Sequence, residues 1–94
     1  MVTYLMVARL PEGGLRDFDA YERAVLPLLA EHGGTLERRL RTPDGRVEAH
    51  LVSFAGDDDF AAFRADPRRS SAAPLLAASG AEIELLAVRD VAGA

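Results

Sequence analysis

Residues 33–55 read GGTLERRLRTPDGRVEAHLVSFA and predict a β-hairpin. Two runs of eight residues, 35–42 and 47–54, have the composition of strands. Between them lies Pro43-Asp44-Gly45-Arg46, and proline, aspartate and glycine in this order are typical of a chain reversal. This hairpin is the strongest local signal in the chain.

The two predicted strands have faces of different character. Pairing Thr42 with Val47 places Arg39 opposite His50 and Glu37 opposite Val52. Side chains alternate along a strand, so two sets result. The mainly apolar set is Leu36, Arg38, Leu40, Val47, Ala49 and Leu51, and the charged set is Glu37, Arg39, Arg41, Glu48, His50, Val52 and Phe54.

Periodicity predicts helices and strands on either side of the hairpin. Val2 to Leu10 is almost continuously apolar, as expected of a strand covered on both faces. Leu15 to His32 repeats apolar residues at helical spacing, and Pro27 within it predicts a kink rather than a break. After the hairpin we expect a helix over 57–66, a short helix over 68–78 and a strand over 81–91.

This order of elements predicts an α+β fold, a ferredoxin-like βαββαβ sandwich that forms one domain over residues 1–94. Its four-stranded antiparallel sheet would have the strand order four, one, three, two, with the helices on one face. The other face would leave Val2, Tyr4 and Met6, or the residues that alternate with them, in water. An exposed apolar sheet predicts a homodimer in which two sheets pair.

Composition excludes several classes of function. A net charge of −4 and a pI near 5.0 give no basic field, so nucleic acid and anionic membranes are not expected partners. No apolar run approaches the roughly 20 residues of a membrane span, and residues 1–10 lack the features of a secretory signal, so we expect a cytoplasmic protein. The chain has no cysteine, which excludes disulfides and thiolate chemistry. Two histidines in separate elements predict no metal site, and no motif calls for a cofactor.

The chain resembles the dimeric α/β-barrel superfamily over nearly its whole length, and within it the small bacterial domains of unknown function. The matching residues are Tyr21, Pro27, Gly33-Gly34, Phe54 and the segment Phe60 to Pro67. The resemblance implies ferredoxin-like protomers whose sheets join into one barrel. It also implies a range of activities: cofactor-free monooxygenases of quinol-like aromatics, lactone isomerases, haem enzymes and ligand-binding regulators. A fold does not choose among these.

Two histidines are candidates for proton transfer. His50 lies on the charged hairpin face beside Arg39 and near Glu48, where an imidazole could act as acid or base near neutral pH. Its alternative role is in a cross-strand polar network. His32 ends the first predicted helix, where it could simply interact with the negative helix end.

Other side chains are candidates for substrate binding. Tyr21 and Tyr4 could donate phenolic hydrogen bonds, although aromatics at core spacing also serve packing. Arg38 is the one charge on an otherwise apolar strand face, so it must pair with a carboxylate, reach solvent past its own stem, or bind an anionic ligand. If that face opens into a pocket beneath the helices, His32 and Tyr21 could converge there with Arg38. The pair Arg68-Arg69, with Ser70-Ser71, could hold a phosphate, but a solvated surface turn is the expected role.

Two functions remain open from the sequence. The first is a homodimer that binds a small organic metabolite, with cofactor-free oxygenation or isomerisation as its chemistry. His50, His32 and Tyr21 would act in catalysis, and Arg38, Arg39 and Tyr4 would bind the substrate. The alternative is a non-catalytic dimeric binding or accessory module. A haem protein is a weaker third option, because neither histidine has a supporting motif.

Overall fold

A computed structural model describes residues 1–93, which form one antiparallel sheet and four helices. The elements are β1 (Val2–Arg9), α1 (Leu15–Val25), α2 (Leu28–Glu31), β2 (Gly34–Arg41), β3 (Val47–Phe54), α3 (Asp57–Ala65), α4 (Pro67–Ser79) and β4 (Glu82–Val88). The strand order is β2-β3-β1-β4. The predicted ferredoxin-like fold and sheet order are therefore confirmed, although the last strand ends at Val88 rather than Val91.

The predicted hairpin is present and has its predicted turn. The Thr42 amide donates to the Val47 carbonyl over 2.9 Å, and Gly45 adopts a φ of 73°, which favours glycine. Arg39 pairs with His50 as expected, but a bulge interrupts the register between Leu36 and Arg38. Leu36, not Glu37, therefore lies opposite Val52. The Glu37 carboxylate instead accepts a 2.6 Å hydrogen bond from the Ser53 hydroxyl on the opposite face.

Pro27 divides the first predicted helix into α1 and α2. Leu26 still donates its amide hydrogen to the Glu22 carbonyl, and both Leu26 and Pro27 keep right-handed helical torsions. Proline has no amide hydrogen, so the helical hydrogen bonds are interrupted there and the expected single kinked helix is two segments. None of the helices among residues 1–93 has the length and apolar character needed to cross a membrane.

The charged side of the hairpin, not the apolar side, lies beneath the helices. Phe54 and Val52 join the core with Tyr21 and Val25 of α1, and Glu48 and His50 on the same strand face are also buried. Arg38 pairs with Leu51, which alternates with these residues, and Arg38 is exposed. The expectation that Arg38 lies in a pocket beneath the helices is therefore wrong.

The outer face of the sheet carries a row of leucines. Leu5 pairs with Leu51 on one side and with Leu86 on the other. Leu86 is 42% exposed, and Leu40 in β2 is 49% exposed. In β1, Val2, Tyr4 and Met6 pack on the core. The side chains that alternate with them, including Leu5, therefore lie on the uncovered apolar face.

Candidate functional site

A cavity of about 190 Å³ lies between the sheet and the helices. Its walls are mostly apolar and include Met6, Val25, Val52, Phe54 and Phe63. The polar side chains that line it are Tyr4, Tyr21, Glu22, His50, Arg64 and Arg69. An apolar cavity with a few convergent polar groups is the usual form of a small-molecule site. The sheet and α1 therefore place a small set of titratable groups around a common space.

His50 in β3 is held by a carboxylate on the neighbouring position of the same strand face. Its Nε2 lies 2.5 Å from Oε2 of Glu48, and both residues are buried. An ionised carboxylate only accepts hydrogen bonds, so Nε2 carries the proton in this pair. In the neutral ring, Nδ1 then has a free lone pair, and it lies 3.9 Å from a carboxylate oxygen of Glu22.

Two arginines of β2 keep Glu48 ionised. Nε of Arg39 donates to Oε2 over 3.0 Å and Nε of Arg41 donates to Oε1 over 2.7 Å. Burial alone would raise the pKa of Glu48, but the hydrogen bonds from His50, Arg41 and Arg39 outweigh it and lower the pKa below its usual value. Asp19 on α1 pairs with Arg41 from the other side, so α1 and β2 are joined through the same network.

Glu22 has the opposite environment. Its side chain is on the buried face of α1 between Phe18 and Val25. Burial first, and then repulsion by Glu48, raise the pKa of Glu22 to about 7. Burial also lowers the pKa of His50, and the attraction of Glu48 does not restore it. Near neutral pH the cavity therefore contains a neutral imidazole and a carboxyl group that is close to half protonated.

This arrangement suits proton transfer. A proton received at Nδ1 of His50 would form an imidazolium that ionised Glu48 stabilises through Nε2. Glu22, on the Nδ1 side, has a pKa that allows it to accept or return the same proton near neutral pH. Glu22 and Glu48 have environments that separate the pKa values of two like groups, which is a common feature of acid–base sites.

Glu22, Glu48 and His50 are spaced as metal ligands are, but the charges around them do not favour a cation. One ligand atom from each of Glu22, Glu48 and His50 lies within 4.8 Å of the others. Both oxygens of Glu48, however, already accept hydrogen bonds from Arg39 and Arg41, and these guanidinium groups repel a cation. The ion-pair network accounts for this cluster better than a metal.

At the α4 side of the cavity, Arg69 contacts Tyr21. Nη2 of Arg69 donates to the Tyr21 hydroxyl over 3.3 Å, and the guanidinium lies 4.7 Å from the centre of the Phe63 ring. Nε of Arg69 is buried and has no hydrogen-bond partner within residues 1–93. A buried donor without an acceptor costs free energy, so this atom is the least satisfied polar group of the site.

The structure brings some of the predicted site residues together and separates others. Tyr21, Tyr4 and His50 line the cavity. The Tyr4 hydroxyl, however, donates to Asp57 over 3.3 Å. Arg39 hydrogen-bonds Glu48 rather than His50, its charge helps to lower the pKa of His50, and it lines an open surface groove next to the cavity.

His32 and Arg38 lie outside the cavity. Nε2 of His32 is 2.8 Å from Oδ2 of Asp66, whose side chain also caps the N-terminus of α4. This contact links the end of α2 to the start of α4 and accounts for His32 structurally. Arg38 is on the outer sheet face, as described above.

Sequence reasoning missed Glu22 and Arg69. Glu22 lies one helical turn after Phe18 and three residues before Val25, so a carboxylate within an apolar helix face was the available signal. Arg69 was expected in a solvated turn with Arg68. Arg68 does pair with Asp66 and Glu31 at the surface, but Arg69 is on the inner side of α4.

No family model and no curated protein matches the chain. Solved structures do match. Protein Atu4242 from Agrobacterium tumefaciens is 21% identical with a TM-score of 0.77, over 99% of this chain and 96% of that one. The cofactor-independent oxygenase SnoaB from Streptomyces nogalater is 21% identical with a TM-score of 0.74, over 99% of this chain and 97% of that one.

A third solved structure has the same fold. A dimeric ferredoxin-like protein of unknown function from Jannaschia sp. CCS1 is 17% identical with a TM-score of 0.69, over 94% of this chain and 99% of that one. Identities of this size establish the fold alone. The chain thus shares the ferredoxin-like fold of these proteins, as the sequence resemblance implied.

Proposed function

We propose that the protein binds a small organic molecule in the cavity beneath the helices and removes a proton from it. The observation that carries this proposal is the position of His50, which lines the cavity and is held at Nε2 by ionised Glu48. A buried imidazole with one nitrogen fixed by a carboxylate is a base at the other nitrogen. The apolar walls exclude water, which favours reaction of the resulting carbanion or phenolate within the cavity.

Two reactions can follow from this proton transfer without a cofactor. In an isomerisation, the proton returns from His50 or Glu22 to a different carbon of the substrate. In an oxygenation, the substrate carbanion supplies electrons to O₂, a methylene carbon becomes a carbonyl, and the second oxygen atom leaves as water with the two methylene hydrogens. The shared fold with a cofactor-independent oxygenase supports the second reaction by analogy.

The base can be tested without knowledge of the substrate. Phenylacetone has acidic benzylic hydrogens, and their replacement by deuterium in D₂O is followed by proton NMR. We expect the wild-type protein to catalyse this exchange and His50→Gln to slow it by about 100-fold or more. His32→Gln is the matched control, because His32 is bound to Asp66 outside the cavity. Absence of exchange with the wild type, or equal rates for wild type and His50→Gln, would contradict the proposal.

We also propose that two protomers pair through their outer sheet faces. The row of Leu5, Leu51 and Leu86 is apolar, and no helix within residues 1–93 covers it. Isologous pairing around a two-fold axis would bury this row against its copy. The fold shared with a dimeric ferredoxin-like protein supports the pairing.

A further inference from the structure

We propose that the ligand of this cavity is a small aromatic acid whose carboxylate binds Arg69 and Tyr21. This inference rests on the proposed function, because it names the class of molecule that occupies the same cavity. Arg69 takes no part in the proposed proton transfer by His50 or in the hydrogen-bond network that holds His50.

Arg69 is a partly buried cation that has no carboxylate within ion-pair distance among residues 1–93, although its charge acts on Glu22 from further away. Arg41 and Arg68 each lie within ion-pair distance of a carboxylate, at 2.6 Å from Glu48 and 2.8 Å from Asp66 respectively. For Arg69, the contacts found among residues 1–93 are the Tyr21 hydroxyl and the Phe63 ring. Its buried Nε has no acceptor. Burying a charge is costly unless it is paired, so an anion at this position would stabilise the protein.

The geometry of Arg69 and Tyr21 fits a carboxylate. A guanidinium can donate two parallel hydrogen bonds to the two oxygens of a carboxylate, and Nε is one of the donors it uses. Tyr21 currently accepts from Arg69. Its own hydroxyl hydrogen is then available for a further acceptor, so Tyr21 and the guanidinium of Arg69 can both donate to one anion.

The size of the cavity limits the rest of the ligand. A cavity of about 150 Å³ holds one benzene molecule. The cavity here is about 190 Å³, so it admits one aromatic ring with a substituent of a few heavy atoms. Phe54, Phe60 and Phe63 form an aromatic wall that suits a ring.

The charges around the cavity set the orientation of this ligand. Arg69 and Arg64 are the cations that line it, and Arg64 lies 5.5 Å from the centre of the Phe60 ring. The guanidinium of Arg64 lies over the Phe60 ring, whereas Nε of Arg69 has no hydrogen-bond partner among residues 1–93. The acid group is therefore assigned to Arg69, whose charge also acts on Glu22, and the ring extends towards His50.

Calorimetric titration of the wild-type protein with benzoate and with benzamide tests the inference directly. The two probes have the same shape, but only benzoate is charged. We expect benzoate to bind about 10- to 100-fold more tightly, the difference typical of hydrogen bonds to a charged partner. Equal affinities, tighter binding of benzamide, or no binding of benzoate at millimolar concentration would each overturn the inference.

Substitution of Arg69 locates the effect. In Arg69→Met the preference for benzoate should disappear, and in Arg69→Lys it should be reduced but present, since lysine keeps the charge without the planar fork. Arg16→Met, on the exposed side of α1, removes the same charge elsewhere and should keep the full preference. A preference that survives in Arg69→Met would overturn the inference.

This experiment is independent of the proposed base. Benzoate binding does not require His50 to accept a proton, and exchange into neutral phenylacetone does not require an anion site. Selective benzoate binding without exchange would retain the aromatic-acid site and reject the base. Exchange without a preference for benzoate would retain the base and reject the aromatic-acid site.

Discussion

Glu48 determines the behaviour of the polar network at the scale of single residues. It has no exposed surface, and both its oxygens accept hydrogen bonds from arginines. Glu48→Gln would leave Arg39, Arg41 and His50 without their common anion. We predict a loss of about 3 kcal/mol in the free energy of unfolding, measured by denaturant titration.

A matched control for Glu48 is Glu84→Gln. Glu84 pairs with Arg9 at 3.2 Å, but both side chains are about half exposed. Exposed ion pairs contribute little, so this variant should lose less than about 1 kcal/mol. Equal losses for the two variants would show that burial does not strengthen the Glu48 network.

Glu22 predicts an unusual dependence of stability on pH. The charged groups around it are Glu48, His50 and Arg39 of the sheet, Asp19 of its own helix and Arg69 of α4. Its pKa rises from 4.5 to about 7 on folding, so the folded protein retains a proton that the unfolded chain loses. The contribution of Glu22 to the free energy of unfolding is therefore full below about pH 4.5 and is lost as the pH rises through about 7.

The variant Glu22→Gln isolates this effect. Relative to the wild type, it should gain stability as the pH rises from 5 to 8, by on the order of 3 kcal/mol. Glu48 and His50 have lowered pKa values, so their contributions are lost as the pH falls and act in the opposite direction. Denaturant titrations of both proteins at each pH measure the difference, and a difference that does not change with pH would contradict a raised pKa for Glu22.

The residue scale also shows why the site was only partly predictable. The charged face of the hairpin, and not the apolar face, is buried beneath the helices. This outcome depends on contacts with α1, which is distant in sequence. Charged side chains usually face water, and here Glu48 is buried beside His50 because Arg39 and Arg41 neutralise Glu48, which in turn holds the His50 ring. No local pattern in the hairpin indicates whether its charged face or its apolar face will be buried beneath the helices.

At the scale of elements, the contact between His32 and Asp66 joins two helices. Asp66 accepts a hydrogen bond from the Arg68 amide as the N-cap of α4 and also binds the His32 ring at the end of α2. Its pKa is lowered by hydrogen bonds from Arg68 and His32, so its stabilising contribution is lost as the pH falls below the usual range of a carboxyl group.

We predict a graded series at this cap. Asp66→Asn keeps an acceptor for the Arg68 amide but loses the charge, whereas Asp66→Ala loses both. Thermal unfolding at pH 7 should therefore give midpoints in the order wild type, Asp66→Asn, Asp66→Ala. The benzoate affinity of Asp66→Asn should stay near the wild-type value, because Asp66 lies outside the cavity. A wild-type midpoint for Asp66→Ala would contradict the role of this contact.

The helices, the strands and the strand order were predicted better than the irregularities within these elements. The hairpin turn, the positions of the helices and the strand order follow from local signals, namely the residues 43–46, apolar periodicity and right-handed crossovers. The bulge at Glu37 has no such signal, because it depends on the Ser53 hydroxyl across the sheet. The position of the interruption at Pro27 was predicted, but its effect was underestimated, because the expected single kinked helix is two segments.

At the scale of the whole molecule, the leucine row predicts the oligomeric state. A charge in the centre of this row would be buried without a partner on pairing, so Leu5→Arg should be monomeric. Ala61→Arg, on the exposed side of α3, is the control and should remain dimeric. Sedimentation equilibrium would report 10.1 kDa for the monomer and about twice that value for the dimer. A dimeric Leu5→Arg would place the interface elsewhere.

The most direct test of the account is the protonation of the His50 ring, measured by long-range ¹H–¹⁵N NMR at pH 7. Spectra of His32→Gln assign the signals of His50, the remaining histidine. The structure predicts a neutral ring with the proton on Nε2, bonded to Glu48, and an unprotonated Nδ1 on the side of Glu22. A proton on Nδ1, in either a neutral or a charged ring, would contradict the account, because His50 would then have no lone pair with which to act as a base.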